Sequence, residues 1–372
     1  MTERAPSGEG VYRLRLRMHA SEALRRTPLH DRHLAAGARM VPFAGWEMPV
    51  QYEGVIPEHR SVREHAGVFD VSHMGQLEVR GPAALEFLQA MLSNDLTRIG
   101  TGHAQYTLLL DENGCPIDDL IAYRLDDDHL LLVVNASRVD DDREWLLGRG
   151  RDGAVLDDRS ADMAMLALQG PASLDLVELP SLAPVEFTRA EVCGVLGIVA
   201  RTGYTGEPGV EIMVAPDQAG VLWDELVAAG ATPAGLGARD TLRLEVCYPL
   251  YGNDLSRSRT ALEAGLGWVC ALDRKEFVGA AALRAQREGG GHDKLVAFRM
   301  SGRGIPRQGM AIQPSGEVTS GTMSPTLEVG IGMGYVPADL AAEGTEIEID
   351  VRGRPIAARV AAKPLYVKET VT

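Results

Sequence analysis

The pattern of apolar and polar residues in the first half of the chain changes from helical spacing to short apolar runs. Apolar residues recur every three or four positions in PAALEFLQAMLSNDL, which predicts a helix with Pro82 near its start. AQYTLLL, IDDLIAYRL and HLLLVVN predict three strands, the first two joined by the turn DENG. A second helix is predicted over ASRVDDDREWLLGRG. This order indicates a compact α+β unit at residues 74–160.

The flanking regions have different patterns. Pro28 precedes a short predicted helix that can end at Gly37, and HRSVREHAGVFDVSHMGQLEVRG predicts a helix followed by a strand. Beyond residue 275 the chain is rich in glycine, proline and alternating runs such as EIEIDVRGRPIAARV, which is typical of an all-β barrel or sandwich. Residues 1–26 are polar and basic without an apolar signal core, so we expect an extension that is disordered or was added for expression.

Composition narrows the class of protein. With 372 residues and 45% hydrophobic content the chain can build two or three domains with real cores. A net charge of -15 argues against nucleic acid or an anionic membrane as partner, because both require clustered cations. No apolar run approaches the roughly 20 residues that span a bilayer. The acidic runs at 126–128 and 140–142 are expected to be solvated loop or helix-end faces.

The sequence motifs favour neither a nucleotide nor a metal site. GLGARD at 235–240 has Asp240 where a dinucleotide fingerprint needs its third glycine, and GIGMGY at 330–335 fails the same test. No phosphate loop, HExxH motif or ligand-spaced histidine cluster occurs in the sequence. The four cysteines form no CxxC pair, which indicates a reducing compartment and predicts a cytoplasmic protein. Cys115 is better explained as a turn residue than as a nucleophile.

Two adjacent acids, Asp118 and Asp119, lie in the second predicted strand. Asp119 shares a strand face with Tyr123, whereas Asp118 lies on the opposite face. Antiparallel pairing puts Tyr106 either opposite Asp119 or diagonal to it, depending on where the turn is centred. A carboxylate beside a tyrosine on a partly apolar face has the properties of a catalytic acid–base group. The alternative, favoured by spacing alone, is that both acids mark a strand end and accept hydrogen bonds from turn amides.

RTGYTGEPGVEI at 201–212 predicts a tight turn between strands, formed by Gly203, Gly206 and Gly209. Together with FDVSHMGQ, IDDLIAY, LVVNAS, GLGARDTLRLE, LYGND and TSGTMSPTL, this segment resembles the aminomethyltransferase (T-protein) family of the glycine cleavage system. The resembling blocks run in order from Thr27 to Tyr366, which is almost the whole chain.

The resemblance implies an α+β fold of three domains arranged as a cloverleaf, with tetrahydrofolate in the central opening. Domain 1 would be discontinuous and folate-binding, formed by residues 27–73 and 161–272. Domain 2, residues 74–160, would be a ferredoxin-like α+β unit. Domain 3, residues 273–372, would be a β-barrel of jelly-roll type.

The implied activity is transfer of an aminomethyl group from lipoylated H-protein to tetrahydrofolate, which yields 5,10-methylenetetrahydrofolate, ammonia and dihydrolipoyl H-protein. An alternative is a one-carbon transferase or demethylase of the same fold that uses another donor or acceptor. A non-catalytic folate-binding accessory protein is disfavoured, because relatives of that kind carry KGCYxGQE where this chain has EVCYPLYGNDL. No metal, nucleotide, nucleic-acid or membrane partner is implied.

Residue by residue, the resemblance implies that Asp119 is the catalytic acid and that seven residues line the folate site: Met74, Tyr106, Asn135, Tyr204, Glu211, Arg239 and Tyr366. Glu211 suits the paired N–H donors of a pterin, and Tyr204 and Met74 suit its flat ring. Arg239 would fix either Glu211 or the glutamyl tail of folate. Asp119 would stabilise developing positive charge or relay a proton, and Asp118 would be structural.

One departure from the family pattern lies next to the acids. Relatives usually have two glycines where this chain has Cys115 and Pro116. Because proline fixes φ and lacks an N–H donor, we expect a stiffer entry into the hairpin, or a strand at the edge of its sheet.

Overall fold

The computed structural model describes residues 23–368, so most of the predicted N-terminal extension lies outside the described residues. The last part of that extension already belongs to the fold, since Arg25 N donates to Gly45 O at 2.9 Å. Within the described residues no helix is both long enough and apolar enough to cross a membrane.

Seven α-helices form between residues 23 and 368: α1 His30–Ala35, α2 Val55–Glu64, α3 Ala84–Met91, α4 Val139–Leu147, α5 Ala219–Ala228, α6 Leu236–Glu245 and α7 Ala280–Gly289. The strands of the first half are β1 Arg39–Phe43, β2 Trp46–Gln51, β3 Gly67–Asp70, β4 Gly75–Arg80, β5 His103–Leu110, β6 Pro116–Asp126, β7 His129–Val134, β8 Val155–Asp158 and β9 Ala164–Gln169. Those of the second half are β10 Phe187–Val192, β11 Val195–Ala200, β12 Gly209–Val214, β13 Thr232–Pro233, β14 Lys294–Met300, β15 Ile312–Gln313, β16 Glu317–Met323, β17 Gly330–Val336, β18 Glu346–Asp350 and β19 Pro355–Ala361.

The first large sheet is assembled from two distant parts of the chain. Its strand order is β10-β11-β12-β9-β3-β13, so β3 from the early chain lies between strands that come much later. Strands β9 and β12 are buried at every position, because both faces of this sheet are covered. One face packs on α5 through Leu222 and Trp223, and the other faces the second sheet.

The second sheet is the inserted unit between β3 and β9, with strand order β5-β6-β7-β4-β8. The predicted helices correspond to α3 and α4, and the three predicted strands to β5, β6 and β7. Leu120 and Leu132 face the helices, whereas Tyr123 and Val133 face the first sheet. The strand predicted after the early helix is two strands, β3 and β4, which belong to different sheets.

The hairpin β5–β6 carries the paired acids. Leu108 lies opposite Asp119 and Tyr106 opposite Ile121, so Tyr106 and Asp119 are diagonal neighbours on one face. This is the second of the two predicted registers. The expectation of a sheet edge at Pro116 is wrong, because β6 lies between β5 and β7. Pro116 is instead the first residue of its strand, beside a register shift, where a missing N–H donor is tolerated.

The C-terminal region is a curled six-stranded antiparallel sheet, with strand order β15-β18-β19-β14-β17-β16. It begins at Lys294, so the all-β interpretation of the chain beyond residue 275 is wrong for Ala280–Gly289, which form α7. Alanine and arginine favour a helix there, although the glycine-rich composition of the wider region obscures it. Helix α7 packs its Leu283 against Leu108 and Leu110 of the hairpin strand β5.

Candidate active site

Asp119 lies on β6 with both carboxylate oxygens engaged. Tyr106 Oη donates to Asp119 Oδ2 at 2.9 Å, and Asn135 Nδ2 donates to Asp119 Oδ1 at 3.0 Å. The side chain is partly buried, at the end of a face that continues into Tyr123. Three residues that the sequence analysis assigned to the site therefore meet at one carboxylate.

Burial first, and then the negative charge of Asp118, raise the pKa of Asp119 to about 7. The hydrogen bonds from Tyr106 and Asn135 oppose this rise, because they stabilise the ionised form. An acid with a pKa near neutrality accepts and releases a proton readily at physiological pH. The arrangement therefore suits acid–base chemistry.

Asp118 points to the opposite side of the sheet and is completely buried. Its Oδ2 accepts from the backbone N–H of Asn135 at 3.0 Å, and its Oδ1 accepts from Asn135 Nδ2 at 2.8 Å. Asp118 was expected to bond to backbone amides of the DENG turn. It bonds instead to the backbone amide of Asn135, the residue that follows β7. Through Asn135 it is connected to Asp119.

Glu211 is the buried acid of β12, with 7% of its surface exposed. Thr202 Oγ1 donates to Glu211 Oε2 at 2.6 Å, and the hydroxyl of Tyr123 lies 3.4 Å from Thr202 Oγ1. Tyr123 shares a strand face with Asp119, so this chain of polar contacts connects the second sheet to the first. The role of Thr202 as a hydrogen-bond donor to Glu211 was missed from sequence, because the pairing depends on the fold of the turn.

The turn that precedes β12 places Tyr204 between an arginine and a second tyrosine. The guanidinium carbon of Arg239 lies 4.6 Å from the centre of the Tyr204 ring, and the Tyr248 ring centre lies 5.8 Å away. Tyr204 Oη donates to the carbonyl oxygen of Pro249, which fixes the ring. Burial raises the pKa of Tyr204, and the charge of Asp119 raises it further.

Arg239 lies in the first turn of α6. Burial lowers its pKa, although the nearby charge of Glu211 acts in the opposite direction. Its Nη1 is buried and has no hydrogen-bond partner within residues 23–368. The guanidinium therefore keeps an unused donor, which a carbonyl or carboxylate of a bound ligand could accept.

His73 is a buried neighbour of Arg239 that the sequence analysis did not select. Burial, and then the charge of Arg239, lower the pKa of His73 to about 4, so its ring is neutral at physiological pH. Its Nδ1 is also without a partner in the described part of the chain. The edge of the site next to Arg239 thus contains two unsatisfied polar nitrogens.

Two further contacts complete the surroundings of the acid. The Trp268 ring lies 6.0 Å from the Tyr106 ring, and 72% of the Trp268 surface is exposed. Met74 is partly buried against the same apolar cluster as Ile121, the residue opposite Tyr106. Neither Trp268 nor Tyr248 was predicted, because nothing in the sequence shows which aromatic side chains remain exposed.

Tyr366 lies in a different group of contacts. The guanidinium of Arg63 stacks 4.4 Å from its ring centre, and its backbone N–H donates to Glu245 O at 2.8 Å. Among the residues described here, no hydrogen bond or ring contact joins it to the other seven predicted site residues. Its place in the folate site stays a prediction. Residues 23–368 also contain no group of three or more His, Cys, Asp or Glu placed to hold a metal ion.

The carboxylate of Asp119, bonded to a tyrosine and an amide, suits acid–base chemistry, and the buried Arg239 beside the Tyr204 ring suits binding of a polar ligand. Comparison with known proteins gives the family. The GCVT N-terminal domain matches residues 29–274, and the glycine cleavage T-protein C-terminal barrel domain matches residues 294–366.

Full-length relatives agree with these matches. An aminomethyltransferase from Symbiobacterium thermophilum is 48% identical, with 93% of this chain and 98% of that protein aligned. One from Desulforamulus reducens is 45% identical, over 94% of this chain and 100% of that protein. The crystal structure of glycine cleavage system aminomethyltransferase T from Bartonella henselae superimposes with a TM-score of 0.86 at 34% identity, covering 92% of this chain and 98% of that chain. The chain belongs to the glycine cleavage T-protein family of aminomethyltransferases.

Proposed function

We propose that the protein is the tetrahydrofolate-dependent aminomethyltransferase of glycine cleavage. It would take the aminomethyl group from the lipoyl arm of H-protein and form 5,10-methylenetetrahydrofolate, ammonia and dihydrolipoyl H-protein. The observation that carries this proposal is the carboxylate of Asp119 in a member of this family: Tyr106 and Asn135 orient it, and burial raises its pKa to about 7. The four free cysteines agree with a cytoplasmic setting.

The domain boundaries and the arrangement of the domains are part of this proposal. The three large sheets would form the centres of three domains, at residues 27–73 with 161–272, 74–160 and 273–372, arranged as a cloverleaf around the folate. The strand orders support the discontinuous first domain, because β3 pairs with β9 across the inserted unit.

The folate would lie between the aromatic residues, with its pterin edge at Glu211. Oε2 of Glu211 is occupied by Thr202, while Oε1 accepts no hydrogen bond in residues 23–368 and can accept from pterin N–H groups. The unused Nη1 of Arg239 supplies a donor for a pterin carbonyl or for the glutamyl tail. Tyr204 and Met74 supply the flat and apolar contacts.

Asp119 would then supply the base and the negative charge that the chemistry needs. In the overall reaction the C–S and C–N bonds of the aminomethyl group break, and its carbon forms bonds to two folate nitrogens. The two folate N–H protons appear on ammonia and on the thiol. Asp119 stabilises the positive charge that develops on the carbon or the attacking nitrogen, and it relays one of these protons.

A reconstituted assay tests the function directly. The protein is added to aminomethyl-loaded H-protein and tetrahydrofolate, and ammonia and methylenetetrahydrofolate are both followed. We expect both products to form in equal amounts and to depend on the protein. Folate binding without either product would contradict the proposal, and would indicate a relative that takes its one-carbon unit from another donor, such as a methylated amine.

A further inference from the structure

Helix α4 contributes a buried carboxyl group beneath the strand that carries Asp119. Sequence patterning predicted that the acidic run at 140–142 is solvated, and Asp140 and Asp141 are indeed exposed. Asp142 is not, since none of its surface is accessible. Its side chain lies against Asp118, which is buried to the same degree. Two aspartates thus meet where neither side chain is accessible to solvent.

The two aspartates differ in their hydrogen-bond partners. Neither oxygen of Asp142 accepts from an N–H or O–H group in residues 23–368. Both oxygens of Asp118 accept from Asn135. Because two adjacent carboxylates without solvent are not both expected to ionise, the proton is assigned to Asp142, whose O–H then donates a hydrogen bond to Asp118. Burial, followed by the charge of Asp118, raises the pKa of Asp142 well above its usual range.

The charged and titratable groups around Asp142 fit this assignment. Arg138, one helical turn earlier, lowers the pKa of Asp142, but its guanidinium stacks 4.9 Å from the Tyr251 ring centre and donates to Ile117 O. Asp141 on the same helix raises it. From the sheet, Asp118 raises it as well. Arg138 pairs with Asp141, and within residues 23–368 no cation is bonded to Asp142.

The pair is connected to the catalytic acid through one amide group. Asn135 Nδ2 donates to Asp118 Oδ1 at 2.8 Å and to Asp119 Oδ1 at 3.0 Å. Its oxygen cannot take that position, since it would face two carboxylates. The bond to Asp118 thus adds to those that the amide donates to Asp119, and a hydrogen bond from Asp142 keeps Asp118 available as an acceptor.

We propose that Asp142 is a positioning residue of the transfer site: as a neutral acid it anchors Asp118, through which Asn135 holds the Asp119 carboxylate in place. This inference deepens the proposed function, on which its kinetic readouts rest. Asp142 touches no reacting atom. It acts through the geometry and the proton affinity of Asp119.

Three substitutions at Asp142 separate the possible roles. Asp142→Asn keeps a donor towards Asp118, whereas Asp142→Ala and the similarly sized Asp142→Leu remove it. Asp140→Ala, an exposed acid of the same helical turn, is the matched control. We expect Asp142→Ala or Asp142→Leu to lower kcat at least about tenfold with KM for tetrahydrofolate within about twofold. We expect Asp142→Asn to restore kcat to within about threefold of the original protein.

The pH profile of kcat distinguishes a neutral Asp142 from an ionised one. The fall of kcat on the acid side of the profile, the acid limb, is set by the pKa of Asp119. If Asp142 is neutral, Asp142→Asn leaves this limb at the same pH. If it is ionised, the substitution removes a negative charge, so the limb moves to lower pH. A moved limb would overturn the proposal, as would unchanged kcat in Asp142→Ala and Asp142→Leu, or an Asp142→Asn protein as impaired as Asp142→Ala.

An infrared measurement tests the shared proton without catalysis. At about pH 8, where Asp119 is largely ionised, the original protein should show the carbonyl band of a buried protonated carboxyl group, and Asp142→Asn should lack it. The same band in both proteins would overturn the inference, even if a variant were poorly active. If the original protein showed the band but no turnover with loaded H-protein, the proposed function would fail and the protonated pair would stand.

Discussion

The Asp119 carboxylate combines two requirements in one side chain: it is desolvated enough to hold a proton near neutrality and bonded enough to keep one orientation. Tyr106 and Asn135 supply the second requirement, at 2.9 and 3.0 Å. Burial and Asp118 supply the first. Because the hydrogen bonds lower the pKa and burial raises it, each contact can be tested by the direction in which its loss moves a titration.

Asp119→Asn keeps the size and most hydrogen bonds of the side chain but removes its charge and its proton affinity. We expect kcat to fall by about 10²–10⁴ while the dissociation constant of tetrahydrofolate changes less than about threefold. Asp127→Asn, at an exposed turn, is the control. Steady-state kinetics and a folate titration measure both quantities. Normal turnover would leave Asp119 with a structural role only.

Tyr106→Phe removes one donor from the ionised form of Asp119. The pKa of Asp119 should therefore rise above about 7, and the acid limb of the kcat profile should move to higher pH. Tyr248→Phe, an aromatic change without a bond to Asp119, should leave that limb in place. A limb that moved to lower pH, or not at all, would contradict the assigned hydrogen bond.

Helices and strands could be predicted from the sequence where the pattern of apolar and polar residues determines them. The hairpin β5–β6 follows from two apolar runs and the turn DENG, and its strand faces follow from alternation alone. The register needed the structure, because the turn could be centred in two ways. Helix α7 was missed because its alanine-rich segment lies within a region whose average composition indicates strands. Asp142 was misassigned because a run of three acids hides which one faces inwards.

The turn between β11 and β12 depends on glycine for space. A Cβ added to Gly203 would lie 2.0 Å from Gln169 Oε1, and Gln169 is fully buried. Gln169 Nε2 in turn donates to Thr202 O at 3.1 Å. Displacing this amide would disturb the residue that positions Glu211.

We therefore expect Gly203→Ala to reduce the free energy of unfolding by about 1–3 kcal/mol and to weaken folate binding. The control is Gly100→Ala, where an added Cβ meets nothing within 4 Å. Denaturant unfolding and folate titration would measure the two effects. Equal stability of the two variants would show that Gln169 moves aside without cost.

Across the whole molecule, buried charges on helix α6 join it to helix α2 and to the C-terminal sheet. Arg243 donates to Asp254 Oδ2 and to Ser320 Oγ, each at 2.8 Å. Glu245 pairs with Arg63 at 2.9 Å and accepts from Ser324. Since Arg239 lies on the same helix, these contacts also fix the arginine of the candidate site.

The charge of Glu245 makes stability depend on pH. Burial opposes its ionisation, but hydrogen bonds from His59 and Ser324 and the charge of Arg63 outweigh it and lower the pKa to about 2. The stabilisation is complete above the ordinary pKa near 4.5 and is lost as the pH falls towards 2. Glu245→Gln should unfold more easily at pH 7 and lose less stability between pH 5 and 3 than the original protein. Glu328→Gln, an exposed acid, should match the original at both pH values.

The discontinuous first sheet has a consequence for the order of events during synthesis. β3 leaves the ribosome before the whole inserted unit, yet its antiparallel partner β9 follows that unit. At about 5–20 residues per second, β3 stays unpaired for several seconds, while the hairpin β5–β6 has all of its local contacts available. The insert can therefore fold while its host sheet is still incomplete, so that the strand carrying Asp119 is in place before Arg239 of α6 has been made.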